Sequence, residues 1–332
     1  MNSIINFFVT VKDIALLFVN EIISIQNEPP AKISNYVLFK KYEPESRSKN
    51  YTFGIYKDTT GKKYFAKIWS GRFRDFEYTM LKNESVSLKL LNKVYERVSN
   101  NIPQNFKDIQ LAKVVYAKSQ NNSLAVVFDY IDIEKKTSVS KMDSSSLIYS
   151  SGLISFLGEN MTKRERELFQ KRSFVFVFFA YFLSILKISF ANPKESYLAF
   201  KNIPLFLKGI RHLHSEEELS LSHRDLNRTN IIVVGSKVFI VDFALCLFAI
   251  QYYDKLSMLI YHWDSIPHRK EIYRDLSMQI SHNPNLRPLF IALLVYIATY
   301  FLTNSRTLPN QKKRCINILL NPDSIFSKTS KI

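Results

Sequence analysis

Between Leu219 and Val241 the chain places His223-Arg224-Asp225-Leu226-Asn227-Arg228-Thr229-Asn230 directly before two short β-branched runs, 231–234 and 238–241, which Gly235-Ser236-Lys237 joins into a tight hairpin. Asp242 follows at the far end of that hairpin, twelve residues after Asn230. A fold that accepts this stretch brings a loop aspartate, an asparagine five residues on, and a second aspartate to one rim. Such a set suits phosphoryl transfer, which needs a carboxylate to orient an attacking hydroxyl and hard oxygen ligands to hold magnesium against nucleotide phosphates. Taken singly, each residue is an ordinary loop side chain. Order, spacing and hairpin context together carry the inference.

The N-terminal half supplies groups for the same chemistry. After Glu28-Pro29-Pro30, the runs 36–42, 51–57 and 63–69 are rich in aromatic and β-branched residues, and Asp58-Thr59-Thr60-Gly61 has the turn chemistry to link the last two as a hairpin. Ala66-Lys67 lies in the third run. A charged helix over 74–98 carries Leu81, Glu84, Leu88 and Leu91 at three-to-four spacing, which turns Glu84 inward, 17 residues after Lys67. Two more strand-like runs, 112–117 and 123–131, flank the turn-prone 119–122 and complete a five-stranded sheet with one helix. Residues 136–158 are serine-rich and weakly patterned, and read as a flexible connection. Helices follow, with Leu205, Phe206, Ile210 and Leu213 facing inward on 203–214, and the chain beyond Leu245 is mostly helical.

In this order the residues resemble the protein-kinase-like superfamily, whose signature is H-R-D-x-x-x-x-N followed by D-F-G, with a strand lysine as in V-A-I-K and a helical glutamate upstream. The likeness runs in order over 36–241, faintly through 135–200. It implies an α+β, two-lobed fold, with an N-terminal amphipathic helix over 1–30, an N-lobe of antiparallel sheet and one main helix over 31–134, and a mostly helical C-lobe over 135–332 that carries the catalytic loop and small hairpin. It further implies ATP and Mg2+ as cofactors. Asp225 would be the catalytic base, with Asn230 and Asp242 as magnesium ligands and His223 and Arg224 supporting the loop. Lys67 would reach the α/β-phosphates, Glu84 would fix Lys67, and backbone groups of Asp129, Tyr130 and Ile131 would form the hinge that meets adenine.

Departures from the signature narrow the acceptor. The segment 43–50 contains no glycine where protein kinases place a glycine-rich flap, so Ser46, Arg47, Ser48 and Lys49 either donate to phosphate or are simply solvated. Ala244 stands at the glycine of D-F-G, Asn227 stands where serine/threonine protein kinases usually carry lysine, and no A-P-E segment follows. These features point toward the aminoglycoside phosphotransferase, choline kinase and lipopolysaccharide kinase branch. Arg224, where many of those enzymes have glycine, points the other way. The expected activity is transfer to a hydroxyl of a small molecule, sugar or lipid-linked glycan; the alternatives are a protein serine/threonine kinase and a nucleotide-binding pseudokinase or scaffold.

Lysine plus arginine exceed acidic residues by 46 to 29, a formal charge of +17, which favours anionic partners. Nucleic acid is disfavoured, since no recognition helix, RNA-binding sheet motif or zinc pattern accompanies the charge. Lys163, Arg164, Arg166, Lys171 and Arg172 precede the aromatic run 174–182, a juxtaposition that suits an anionic membrane surface and equally a buried helix with a basic solvated cap. The charge-free stretches 173–186 and 288–305 are 14 and 18 residues long. Crossing a bilayer takes about 20 residues, so both read as buried core helices. Residues 1–23 include Lys12, Asp13 and Glu21 and read as an amphipathic helix rather than a signal. Cys246 and Cys315 build neither a disulfide framework nor a zinc site, which suits a reducing, cytoplasmic setting with peripheral membrane contact as one option.

Overall fold

The structure, a computed structural model, describes residues 28–43, 50–120, 122–132, 136–137, 144–172, 174–211, 219–303 and 309–326. The amphipathic segment 1–23 and the glycine-free loop at Ser46–Lys49 lie outside the described residues. Two compact units divide the chain, one running to Thr137 and taking in Ile232–Cys246, the other comprising Ser138–Ile231 and Leu247–Ile332.

The first unit is built on a six-stranded antiparallel sheet. Its strands β1 (Lys32–Ile33), β2 (Tyr36–Tyr42), β3 (Tyr51–Lys57), β4 (Lys63–Ser70), β6 (Val114–Gln120) and β7 (Ser123–Asp129) are ordered β1-β2-β3-β4-β7-β6. Asp58 makes the β3–β4 turn: its Oδ1 accepts from the amides of Thr60 and Lys62 at 2.8 and 3.0 Å, and Gly61 takes the positive φ of +84° that the turn needs. The register pairs Lys67 with Phe53 on one side and Val126 on the other, while the alternate positions Ala66 and Ile68 are buried. Helix α1 (Phe76–Arg97) starts at Asp75, whose carboxylate caps the amide of Tyr78 at 3.0 Å. Its buried stripe holds Leu81, Glu84, Leu88, Leu91 and Val94.

Two strand readings change. The expected run 112–117 is β6, which starts at Val114, with β5 (Ile109–Leu111) a separate strand before it that was not expected, and β1 makes the sheet six-stranded. The cause is non-local. β5 stands outside the main sheet and pairs in parallel with β11 (Lys237–Ile240), about 130 residues away, placing Ile109 opposite Val238. With β10 (Ile231–Val234) and β8 (Lys136–Thr137) they form a four-stranded sheet in the order β5-β11-β10-β8. Gly235, at φ +60°, closes the β10–β11 hairpin.

In the second unit, most of the supposed flexible connection is the helix α2 (Ser144–Glu159). Leu147, Ile148, Leu153, Ile154 and Leu157 are buried along it, and its serines do not break it, because Ser150 and Ser151 return their hydroxyls to the carbonyls of Ser146 and Ile148 at 2.8 and 2.9 Å. Short α3 (Lys163–Glu167) opens with a capping box between Thr162 and Glu165. Helices α4 (Phe174–Ala191), α5 (Pro193–Lys201), α6 (Ile203–Ile210), α7 (Tyr253–Tyr261), α8 (Ile266–His282), α9 (Leu286–Thr303) and α10 (Pro309–Leu320) follow, with β9 (Leu219–Ser222) paired antiparallel to β12 (Leu247–Ile250). On α6, Phe206 and Ile210 are buried and Leu205 is half-buried, while Leu213 lies outside the described residues.

The two apolar stretches differ. Helix α9 is long and apolar enough to cross a membrane, but 72% of it is buried and it is the central core helix, in contact with α4, α6, α7 and α10. A β-carbon on Gly209 of α6 would stand 2.1 Å from the carbonyl oxygen of Pro288, so that approach admits only glycine. Helix α4 is not the wholly buried helix expected: it buries Val177, Tyr181, Ile185 and Ile188 and exposes its other side.

Candidate active site

The first unit gathers three charges. Lys67 Nζ on β4 lies 3.0 Å from Glu84 Oε2 on α1 and 3.4 Å from Asp242 Oδ1, just past β11. The sequence stripe turned Glu84 inward, and the Lys67 and Glu84 side chains are 14% and 4% exposed against 41% for Asp242. Burial works against the Lys67 charge, but Asp242 and Glu84 more than offset it and hold the ammonium well above its usual range. Burial pushes the Glu84 carboxyl up to about 7, against the pull of Lys67 and with the help of Asp242, which competes for the same ammonium. Tyr51 covers the cluster, its ring centroid 5.1 Å from Lys67 Nζ and its hydroxyl donating to the carbonyl of Glu77 at 2.6 Å.

Asp242 adopts φ +61°, a left-handed conformation uncommon outside glycine that aspartate and asparagine tolerate better than most residues. Phe243 behind it is fully buried in the short turn Phe243–Leu245, which packs on α1. Two carboxylates around one ammonium leave a net negative charge whose exposed member is Asp242. Among the described residues no three His, Cys, Asp or Glu side chains converge as a preformed metal cage. One exposed carboxylate fits magnesium, which is commonly held by one or two protein carboxylates together with substrate phosphates and water.

The second unit holds the loop 223–230. Asp254, at the start of α7, receives the backbone amides of His223 and Arg224, both at 2.7 Å, and Arg224 takes φ +69° to present them. Arg224 stacks on Tyr253, with its guanidinium 4.8 Å from the ring centroid. Leu226 is fully buried, and its carbonyl meets His262 Nε2 at 3.0 Å. Asn227 Oδ1 accepts from the amides of Thr229 and Asn230 at 2.8 and 3.2 Å, so the residue at the usual lysine position closes the turn instead.

Three donors fix the Asp225 carboxylate. Tyr261 Oη and Asn227 Nδ2 donate to Oδ1 at 2.7 and 2.9 Å, and Asn230 Nδ2 donates to Oδ2 at 2.9 Å. Asn230 Nδ2 also donates to the Asp225 carbonyl at 2.8 Å. With its amide nitrogen so engaged, Asn230 has its oxygen, which accepts a long bond from Thr229 Oγ1 at 3.4 Å, as the side-chain atom suited to a cation. Burial, with the Asp225 charge beside it, pushes the Tyr261 phenol far above its ordinary range, so it is a fixed donor. Burial drives His262 down to about 4 and keeps it neutral.

Sequence reasoning missed Asp254, Tyr261 and His262. Their spacing of seven and eight residues brings Asp254 and Tyr261 to one side of α7, with His262 just past its end, and that spacing was the available signal.

Asp129, Tyr130 and Ile131, the expected hinge, line a pocket of about 390 Å³ with Asn92, Lys113 and Phe239 among its other walls. The Asp129 amide donates to the carbonyl of Lys113 at 2.9 Å and its carboxylate pairs with Lys62 at 2.9 Å, so those two groups are engaged within the protein. None of Lys67, Glu84 and Asp242 lines this pocket. The charge constellation, not that concavity, marks the candidate site.

No protein-family model and no curated protein sequence matches this chain. Solved structures do. An aminoglycoside phosphotransferase from Alicyclobacillus acidocaldarius superposes with a TM-score of 0.55 at 11% identity, covering 91% of this chain and 95% of its own. A microcompartment-associated aminopropanol kinase gives 0.55 at 11% identity, covering 88% and 94%. A thermostable mutant of an aminoglycoside phosphotransferase, solved with AMP-PNP and hygromycin B, gives 0.53 at 9% identity, covering 90% and 95%. At these identities the likeness is one of fold, and it runs nearly end to end through both kinds of chain. The fold of this chain is therefore the two-lobed, α+β protein-kinase-like fold, in the form that aminoglycoside phosphotransferases and other small-molecule kinases share.

Proposed function

We propose that this protein is an ATP- and magnesium-dependent phosphotransferase whose acceptor is a hydroxyl of a small molecule, sugar or lipid-linked glycan. The observation that carries the reading is the buried Lys67 held between Glu84 and Asp242. Desolvating a lysine and a glutamate in a sheet-and-helix core is costly unless they are paired, and a third, exposed carboxylate on the same ammonium adds nothing that packing requires. Phosphate handling does require it.

Lys67 would meet the nucleotide phosphates, with Glu84 keeping its ammonium charged and in place. Asp242 and the Asn230 oxygen would hold magnesium, which when bound neutralises charge on the phosphates. Asp225, fixed by Tyr261, Asn227 and Asn230, would orient the acceptor hydroxyl and accept its proton. The Tyr130–Ile131 backbone would meet the adenine edge. Neighbours of the same fold support a small-molecule acceptor: one is an aminopropanol kinase, and another an amicoumacin kinase solved with AMP-PNP and Ca2+ at a TM-score of 0.50 and 13% identity, covering 86% of this chain and 90% of its own.

The test is ATP turnover by the purified chain with Mg2+ against a panel of amino alcohols, aminoglycosides, sugars, glycolipid extracts and model proteins. Phosphate transfer to one hydroxyl class, lost on chelating the metal, is the expected result. Transfer to proteins alone would replace the reading with a protein kinase, and ATP binding without transfer to any acceptor would replace it with a pseudokinase.

A further inference from the structure

Helix α4 carries two apolar faces, and only one of them is used by the fold. At 100° per residue, the exposed Val175, Phe179, Leu183, Leu186 and Phe190 fall within an arc of about 80°, and the buried Val177, Tyr181, Ile185 and Ile188 fall within another of about 80° on roughly the opposite side, where Phe174, at the helix's first position, is also exposed. The buried arc faces the α9 and α5 contacts. A surface helix ordinarily turns a polar face to water. Here the outward residues are 39% to 90% exposed, with Phe179 at 61% and Phe190 at 90%. Helix α5, packed on α4, adds the exposed Tyr197 and Phe200.

Exposed basic residues lie on these two helices and on the segment leading into them. Lys187 on α4 and Lys194 and Lys201 on α5 are exposed, as are Lys163, Arg164, Arg166 and Lys171 on the approach. Between residues 163 and 201 there are eight lysines and arginines and three glutamates, one of which, Glu165, is buried in the α3 capping box. A stripe about 27 Å long and about 10 Å wide offers near 270 Å², well below the roughly 800 Å² per partner of a stable protein interface, and a second copy would bring the same positive charge to it. Aromatic and aliphatic side chains flanked by lysine are the composition of a helix lying in a lipid interface, where apolar groups enter the acyl boundary and ammonium groups meet anionic headgroups.

We infer that the exposed face of α4, with Tyr197 and Phe200 of α5, docks this protein peripherally on an anionic lipid bilayer. The inference does not depend on the phosphotransferase reading and needs no turnover for its test.

The experiment is co-sedimentation of the full chain with phosphatidylcholine vesicles with and without phosphatidylglycerol. Binding should require the anionic lipid and weaken with salt. Phe179→Ser/Leu183→Ser/Phe190→Ser should lower partitioning by about tenfold or more at an unchanged thermal midpoint, because these side chains are exposed. Lys187→Glu/Lys194→Glu/Lys201→Glu should remove the preference for anionic vesicles. Phe179→Trp supplies a readout independent of the triple variant's folding: its emission should shift to the blue on anionic vesicles and be quenched by brominated acyl chains. Wild-type protein that ignores anionic vesicles overturns the inference. So does a Phe179→Trp emission unchanged by lipid, a dimer in light scattering that the serine variant dissociates, or binding that survives the serine variant but is lost in Phe7→Ser/Phe8→Ser.

Discussion

Tyr261→Phe removes a single oxygen from the candidate catalytic loop. The phenol supplies one of two hydrogen bonds to Asp225 Oδ1, at 2.7 Å, while Asn227 and Asn230 supply the other two donors to the carboxylate. Phenylalanine keeps the ring and its edge-on contact with Phe301, whose centroid is 5.1 Å away, so volume and packing are preserved. A hydrogen bond to a charged group is worth about 1.5–3 kcal/mol, which bounds the loss in transition-state stabilisation at roughly 10- to 150-fold. The two remaining donors keep the carboxylate near its place, so a loss of about tenfold in kcat, the lower end, is expected. Because Tyr261 holds the group that addresses the acceptor, the ATP dissociation constant should not change. Steady-state kcat and KM with the identified acceptor, alongside nucleotide titration, make the comparison. Wild-type kcat in Tyr261→Phe would refute the idea that this hydroxyl positions Asp225, and a weakened ATP affinity with unchanged kcat would place Tyr261 in nucleotide binding instead.

Lys67→Met should weaken productive ATP binding and also lower stability by about 3 kcal/mol or more, because it leaves the buried Glu84 without its counter-charge; denaturant melts and ATP titration of Lys67→Met and of Lys67→Met/Glu84→Gln check this, the double variant regaining stability but not ATP affinity. Asp242→Ala should abolish magnesium-dependent turnover while the protein stays folded, since the side chain is 41% exposed, and a magnesium titration with unchanged rate and metal dependence would refute its role. His262 is buried and depressed to about 4 from an ordinary 6.5, so the unfolded chain binds its proton first: stability from this group is present above pH 6.5 and lost as pH falls toward 4, by up to about 3 kcal/mol. Melts across that window should show the slope in the wild type and its loss in His262→Gln.

What could be read from the sequence was local. Asp58 and Gly61 announce a turn by their own chemistry, and the three-to-four spacing on α1 assigns Glu84 a direction before any partner is known. The 223–230 loop was legible because its asparagines bond within it: Asn227 closes its own turn and Asn230 reaches back to Asp225. Features that depend on distant segments were not legible. Ile109–Leu111 is a strand only because Val238–Ile240 lies beside it, and Asp225 is fixed by a tyrosine 36 residues on. The serine-rich 144–159 misled because serine alone signals a turn, whereas five buried leucines and isoleucines decide for a helix. The charge-free 173–186 gave no hint of which face was spare, since both faces of the helix are apolar there and only packing on α9 and α5 distinguishes them.

The proposed function rests on Asp225 addressing the acceptor and not the nucleotide. Asp225→Asn replaces one carboxylate oxygen by an amide nitrogen, removing the proton-accepting group at nearly constant volume. Paired measurement of ATP affinity and single-turnover rate in this variant separates the two roles. The expected result is a fall in rate on the order of 10² to 10⁴, the usual contribution of a positioned acid/base residue, with ATP affinity nearly that of the wild type. Full turnover in Asp225→Asn would contradict the assignment of Asp225 as base, and with it the proposed chemistry of the loop.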